Sequence, residues 1–357
     1  MTNLNILRVS SYPSKKNKSV GLHSYYLGRN EFKTIYLTYK YPTELLKPLG
    51  NSEIFQSRFD LHSRKSKNIF FYLFYSLRRI FYIFSFSISG ILILFKHPKI
   101  NFIHIHSPMY ILIVLAGKIL NKKCFITFHG EDTYIVNKYF FNKIFYKLFD
   151  YIFTLDSLSV SKFNYNKIQI VKNGINKKNF FRTNEKKKKI ILSVASFKKQ
   201  KNHEFLIKEF KKFIEKGYNY KLYLVGDGYL KSYIEKLVLD LDLSENVFFF
   251  GQLDHNKLNY LYNISEIFVL PSEIEGFPKV LLEAMSCDCK LLVSKVGANQ
   301  DILGNNYNYY HNKLNFLKKL ILILRHQVNK NKYKKILENY SWDNIHKEYL
   351  EIYKKFL

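Results

Sequence analysis

Glu275 and Glu283 bracket the stretch EGFPKVLLE with seven residues between them. Pro278 suits the first turn of a helix, because its missing N–H would have no intrahelical partner there. The first amides of such a helix, those of Lys279 and Val280, would then face an anion together with the positive end of the helix dipole. In the preceding loop Glu275 can accept hydrogen bonds from sugar hydroxyls. In the second turn Glu283 is placed to take both hydroxyls of a ribose, since a carboxylate is an acceptor-only group suited to a diol. A plainer reading leaves Glu275 complementing the dipole and Glu283 on the surface. The apolar neighbours of Glu283, which are Leu281, Leu282, Ala284 and Met285, argue against a solvated position.

The elements around this helix repeat a pattern. Short β-rich apolar runs fall at 5–9, 34–39, 102–106, 124–128, 151–155 and 168–171, and again at 189–194, 221–225, 247–250, 267–270 and 290–294. Continuous apolar strands alternating with helices indicate parallel sheets covered on both faces. Two series imply an α/β chain of two doubly wound, Rossmann-like domains. The expected division is a first domain at 1–172, a solvated linker at 173–188, a second domain at 189–339 and a closing amphipathic helix at 340–357. Ligands of open parallel sheets bind beyond the carboxyl ends of the strands. Glycines, bases and carboxylates follow those ends here, in HGED (129–132), KNG (172–174), ASFKKQKNH (195–203), GDG (226–228) and PSEIEGFP (271–278). Two such edges facing each other would make an interdomain cleft.

At 357 residues and 47% hydrophobic content the chain has material for about two folded cores. A net charge of +29 favours an anionic partner, although Lys, Asn, Ile, Phe and Tyr are also the residues of A/T-rich codons. Basic-aromatic RNA motifs, a helix-turn-helix pattern and zinc spacing are all missing, so nucleic acid is not the expected partner. Three cysteines and an N-terminus without an apolar signal region imply a cytoplasmic protein.

FHGED (128–132), VKNGINKKNF (171–180), LSVASFKKQKNHEFLI (192–207), LVGDG (224–228), LPSEIEGFPKVLLEAMSC (270–287) and YSWDNIHKEYLEIY (340–353) occur in that order. The set resembles the retaining GT-B glycosyltransferases of glycosyltransferase family 4, also called group 1. The resemblance implies a GT-B fold, a closing helix that crosses back to the first domain, and transfer of a sugar from a UDP- or GDP-sugar. It implies Glu275 beside the donor sugar, helped by the amides of Gly276 and Phe277, and Glu283 as the ribose ligand. Lys201 would hold the diphosphate, and His129 would lie by the donor sugar. Pro278, Lys279 and Val280 would start the anion-binding helix, while Gly226, Gly228, Asn173 and the glycine-loop residue Gly21 would complete the donor site. Retention in this family proceeds by departure and attack on one face, with the leaving phosphate as base.

Ser196 stands where the family usually has a base, five residues before Lys201, so Lys198 or Lys199 would have to reach in. The N-terminal loop has one glycine where a pair is frequent, and Asp301 replaces a common glutamate. With no Asp-x-Asp motif at a strand end, neither a metal ion nor another cofactor is expected.

Residues 80–95 are sixteen largely apolar positions, fewer than the about 20 of a spanning helix. The stretch is expected as a helix of the first domain, either in its core with solvated ends or facing a membrane, where Lys65, Lys67, Arg78 and Arg79 would add a basic collar for anionic headgroups. The expected enzyme is therefore a metal-independent hexosyltransferase, peripheral to the inner face of the plasma membrane. Its acceptor would be a glycan or polyprenyl-linked molecule of bacterial capsule, lipopolysaccharide or exopolysaccharide. The rival expectation is a noncatalytic sugar-nucleotide or glycan-binding subunit of the same fold.

Overall fold

The computed structural model describes residues 4–10, 22–27, 33–39, 44–48, 52–57, 69–129, 146–155, 167–304, 307, 309–310 and 315–357. The chain divides into one unit of residues 1–171 and 346–357 and another of 172–345.

The first unit contains β1 (Asn5–Val9), α1 (Leu22–Tyr26), β2 (Lys33–Thr38), β3 (Ser52–Gln56), α2 (Ile69–Lys96), β4 (Phe102–Ile105), α3 (Ile111–Ile119), β5 (Lys123–Phe128), β6 (Tyr151–Thr154) and β7 (Ile168–Ile170). These strands pair in the order β3-β2-β1-β4-β5-β6-β7, all parallel. Buried runs such as Ile103, Ile105, Ile126 and Ile152 supply the core. The short apolar runs of the sequence appear as strands. β3, SEIFQ, was not among them: it pairs with β2 as the edge strand, and its polar residues alternate with half-buried ones.

The second unit contains β8 (Lys188–Val194), α4 (His203–Glu215), β9 (Lys221–Val225), α5 (Lys231–Asp240), β10 (Val247–Phe249), α6 (His255–Ile264), β11 (Ser265–Leu270), α7 (Lys279–Ser286), β12 (Lys290–Val293), α8 (Ala298–Leu303), α9 (Phe316–Leu324) and α10 (Lys330–Asn339). Its parallel sheet runs β10-β9-β8-β11-β12. In each sheet the strand order reverses beside the first strand, between β1 and β4 and between β8 and β11. Loops leaving such a pair diverge to opposite sides and leave a crevice at the carboxyl ends.

The final helix, α11 (Trp342–Lys354), starts with residues counted in the second unit and continues with residues counted in the first. Within the first unit Tyr353 meets a wholly buried arginine. Arg8 Nη2 donates to Tyr353 Oη (3.3 Å), and Arg8 Nη1 lies 3.2 Å from His104 Nδ1. His104 also reaches Tyr353 Oη (2.5 Å) and Thr127 Oγ1 (2.7 Å). Neutral groups thus meet two of the three nitrogens of a buried cation, while its Nε has no hydrogen-bond partner among the described residues.

Residues 173–188 are not a solvated linker. Ile175 and Phe180 join the core of the second unit. Arg182 Nη1 donates to Asn263 Oδ1 (2.9 Å), and Lys187 Nζ donates to the carbonyls of Tyr262 (2.8 Å) and Cys287 (2.7 Å). The basic residues here serve the carbonyl ends of α6 and α7, which have no intrahelical partners.

In α2, Ile80, Phe81, Phe84, Ile88, Leu92 and Phe95 are exposed at helical spacing, while Phe86 packs on Tyr39 and Tyr110. Ser87 and Ser89 bond back to the carbonyls of Ile83 and Ser85. The helix is 28 residues long, yet among the described residues no helix is long and apolar enough to cross a membrane. Lys65 and Lys67, and the side chains of Arg78 and Arg79, lie outside the described residues.

Phe180 tests the packed segment. Phe180→Ala should cost about 3–5 kcal/mol, as for a core phenylalanine, and lower the melting temperature of the second unit by several degrees. An unchanged melting curve would restore the linker reading.

Candidate active site

The loop after β8 and the turn after β9 are stitched backbone to backbone. Ala195 N donates to Val225 O (3.0 Å), Phe197 N to Asp227 O (3.0 Å) and Leu230 N to Phe197 O (3.1 Å). Gly226 has φ +139, and a Cβ on it would strike Ala195 O. A Cβ on Gly228 would meet the backbone of Phe197. Close loop approach therefore explains both glycines, and it holds Ser196 beside the end of β8. Ser196 is part-buried and its carbonyl accepts from Lys198 N (2.8 Å). Lys198 and Lys199 are exposed.

A 3-10 turn, Lys199–Lys201, ends at Asn202 with φ 56 and delivers Lys201 to the crevice. From the loop after β11 comes Glu275. Lys201 Nζ lies 2.6 Å from Glu275 Oε1, and these side chains are 20% and 6% exposed. Ser272 Oγ donates to the same oxygen at 2.5 Å. The loops are also joined by Glu273 N donating to Gln200 O (2.8 Å). From the loop after β12, Gly297 (φ 48) approaches Glu275 O so closely that no Cβ fits. Loops from three strand ends thus hold Glu275, two at its carboxylate and one at its backbone.

Pro278 is the N-cap of α7, with ψ 88, and Lys279 N donates to Phe277 O (3.1 Å). This corrects the expectation that Lys279 offers a free amide, because the cap geometry folds the Phe277 carbonyl onto it. Val280 follows as the second residue of α7. The Phe277 ring packs on Tyr340 at 5.7 Å, so this side chain is structural, and Gly276 occupies the bend before it.

Glu283 follows in the second turn. Tyr262 Oη, from the end of α6, donates to Glu283 Oε2 (3.0 Å) and approaches Val280 O at 3.4 Å. The residue keeps some exposure, but its carboxyl group lies deep. Burial pushes it up to about 7, against the opposing pull of the Tyr262 hydrogen bond and the Lys279 charge. Burial likewise lowers the proton affinity of Lys279, four residues earlier on the same helix, with Glu283 opposing the shift.

Of the remaining expected residues, Asn173 is in the second unit, buried, with its Oδ1 lacking a hydrogen-bond partner among the described residues. His129 is in the first unit at the end of β5, its Nε2 3.2 Å from His106 Nδ1 and the rings stacked at 5.5 Å. Gly21 lies outside the described residues. Sequence reasoning missed Ser272, Gly297, His106 and Tyr262. Ser272 and Gly297 follow strand ends, a position that could have flagged them. His106 closes the run FIHIH, and Tyr262 has no local mark. Among the described residues no group of three or more His, Cys, Asp or Glu gathers to hold a metal ion.

Residues 175–341 match the family described as Glycosyl transferases group 1. An uncharacterized glycosyltransferase of Methanocaldococcus jannaschii is 32% identical over 211 residues, which is 53% of this chain and 54% of that protein. An N-acetylgalactosaminyltransferase of Campylobacter jejuni, named for a diacetylbacillosaminyl-diphospho-undecaprenol acceptor, is 35% identical over 32% of this chain and 30% of its own length. The O-antigen chain mannosyltransferase of Salmonella typhimurium is 29% identical over 40% of each chain. The chain thus spans about half or less of these relatives. Sucrose-phosphate synthase from Thermosynechococcus elongatus superimposes with a TM-score of 0.74 at 17% identity, covering 99% of both chains. An Anabaena protein solved with UDP and glucose gives 0.72 at 11% identity, over 99% of this chain and 100% of that one. The fold is GT-B, with two parallel-sheet Rossmann-like domains.

The Glu283 carboxyl yields a stability test. Folding raises its proton affinity from the ordinary 4.5 to about 7. Its contribution to stability is thus fully present below about 4.5 and lost as pH rises through 7. Glu283→Gln should therefore melt close to the parent at pH 5 and above it at pH 8. A gap in melting temperature that is the same at both pH values would contradict the buried carboxyl.

Proposed function

We propose that this chain is a retaining, metal-independent glycosyltransferase acting on a nucleoside diphosphate sugar, with UDP or GDP as the nucleotide. The observation that carries the reading is the Lys201–Glu275 pair at 2.6 Å, set at the diverging ends of β8 and β11. Lys201 is matched to a diphosphate: its cation stabilises the charge that develops as the sugar–phosphate bond breaks. When a diphosphate takes the lysine, Glu275 is released to accept hydrogen bonds from the sugar hydroxyls, while Ser272 and the Gly297 contact hold its loop in place. Glu283 takes the ribose diol. The Val280 amide and the dipole of α7 add positive potential nearby. The acceptor hydroxyl attacks on the face from which the phosphate leaves, and that phosphate accepts its proton.

The acceptor is proposed to be a lipid-linked or surface-polysaccharide glycan of a bacterium. Two of the relatives carry such acceptors in their names, diphospho-undecaprenol and O-antigen chain. The exposed apolar stripe of α2 supports peripheral binding at the cytoplasmic face of the membrane. The second reading, a noncatalytic nucleotide-sugar or glycan-binding subunit, draws on Ser196, since exposed Lys198 and Lys199 supply no buried base in its place. Slow hydrolysis of UDP- or GDP-sugars by the purified protein separates the two.

Lys201→Ala should weaken binding of UDP or GDP while leaving that of the nucleoside nearly intact, and should lower turnover more than either, in assays containing EDTA. Equal losses for nucleoside and nucleoside diphosphate would make the lysine structural, and activity that needs Mg²⁺ or Mn²⁺ would end the metal-free mechanism. For the membrane, the protein should sediment with anionic vesicles and keep a salt-resistant fraction that Phe84→Ser with Leu92→Ser removes. Charge-driven binding alone should vanish as screening shortens to about 8 Å. Equal sedimentation with neutral and anionic vesicles would remove the electrostatic part.

A further inference from the structure

We propose that Tyr262 is a positioning residue for nucleotide binding, whose hydroxyl fixes the Glu283 carboxylate and keeps it ionised, so that proton uptake by Glu283 and nucleotide binding compete. The inference rests on the ribose-binding reading of Glu283 given above.

Tyr262 is wholly buried at the end of α6, with its ring edge-on to Phe180 (5.9 Å) and tilted against Phe268 (5.8 Å). A phenol among such neighbours needs a hydrogen-bond partner, and phenylalanine would fill the same space without one. The partner is Glu283 Oε2 at 3.0 Å, shorter than the 3.4 Å approach to Val280 O. The hydroxyl has one proton to give, and the carboxylate is the stronger acceptor. A carboxylate has two oxygens; holding one from inside leaves the other, with a fixed rotamer, for a diol approaching from outside.

The surroundings make that hydrogen bond matter. Lys279, on α7, and Cys287, which caps its end, lie one turn before and after Glu283, and Tyr262 faces it from α6. Just beyond α7, the Cys289 thiol donates to the Tyr262 carbonyl (3.1 Å). Lys187 Nζ reaches the same carbonyl at 2.8 Å, with Arg182 farther along the segment, and Tyr333 from α10 donates to Cys289 O (3.1 Å). Burial pushes both thiols up, so they stay neutral near pH 7, and it lowers both lysines. Burial raises Glu283 to about 7, and the Tyr262 hydrogen bond is the first force working against that rise. Without the hydroxyl the carboxyl would hold its proton at higher pH. A protonated acid satisfies only one diol hydroxyl as a full acceptor and places its own donor in the site.

The test is the affinity of UDP and GDP, measured by calorimetry between pH 5.5 and 8.5, for the parent, Tyr262→Phe and Glu283→Gln. In the parent, affinity should fall as pH drops through about 7. Tyr262→Phe should bind about tenfold more weakly at pH 7, the scale of one hydrogen bond to a charged group. Its break should move to higher pH, and its affinity should approach that of the parent at the alkaline end. Glu283→Gln should bind weakly with no break. A Tyr262→Phe curve identical to the parent, or lowered by one factor at every pH, overturns the positioning role while Glu283→Gln still reports the ribose contact. If Glu283→Gln binds as the parent does, or the parent binds neither nucleotide, the reading of the site fails and this inference with it.

Discussion

The parallel pairing of β8 with β11, Ile191 against Ile267 and Leu192 against Phe268, is the constraint from which the rest of the second unit follows. Both strands are buried on two faces, so their loops can emerge only at the ends. The chain leaves β8 toward β9 and leaves β11 toward β12, on opposite sides of that seam. A lysine on one exit and a glutamate on the other, 74 residues apart in sequence, are thereby brought to 2.6 Å. Slipping the register by one residue would send every side chain of either strand to the opposite packed face, so the position of the pair is as well fixed as the core.

One residue type carries two kinds of chemistry because the two glutamates keep different company. Glu275 is matched by a cation and a hydroxyl, and its loop is hemmed in by the backbone of Gly297. Glu283 has a phenol inside and a lysine a turn away, with apolar residues on either side. The first is an ion pair braced by a hydroxyl; the second is a carboxyl that burial pushes up to about 7. Neither distinction is visible in the identity of the residues themselves.

Much of this was legible. Continuous apolar runs ending in glycines and charges announce buried parallel strands and the carboxyl edge at which Lys201 meets Glu275, and the spacing of Glu275 and Glu283 announces a loop and a helix. What escaped was set by partners distant in sequence. β3 is an edge strand with polar residues, so it has no apolar run to see. Residues 173–188 look like a charged linker because lysine is common in solvent, yet Arg182 and Lys187 are hydrogen-bonded to the ends of helices 75 and more residues away. The Lys279 amide looked free until the Pro278 backbone turned the Phe277 carbonyl onto it. Tyr262 reads as one more aromatic in an aromatic-rich helix, and only the fold puts its hydroxyl on a carboxylate.

The Arg8–Tyr353 hydrogen bond spans 345 residues, nearly the whole chain, and so sets an order of assembly. The second unit is one unbroken stretch, 172–345, and can close as soon as it is made. The first unit begins earlier but has to wait for residues 346–357. A ribosome adding about 5–20 residues per second needs about 17–70 s to travel from Arg8 to Tyr353. Throughout that interval the guanidinium lacks the Tyr353 phenol, so of the two units the one whose strands are made earlier is the later to be finished.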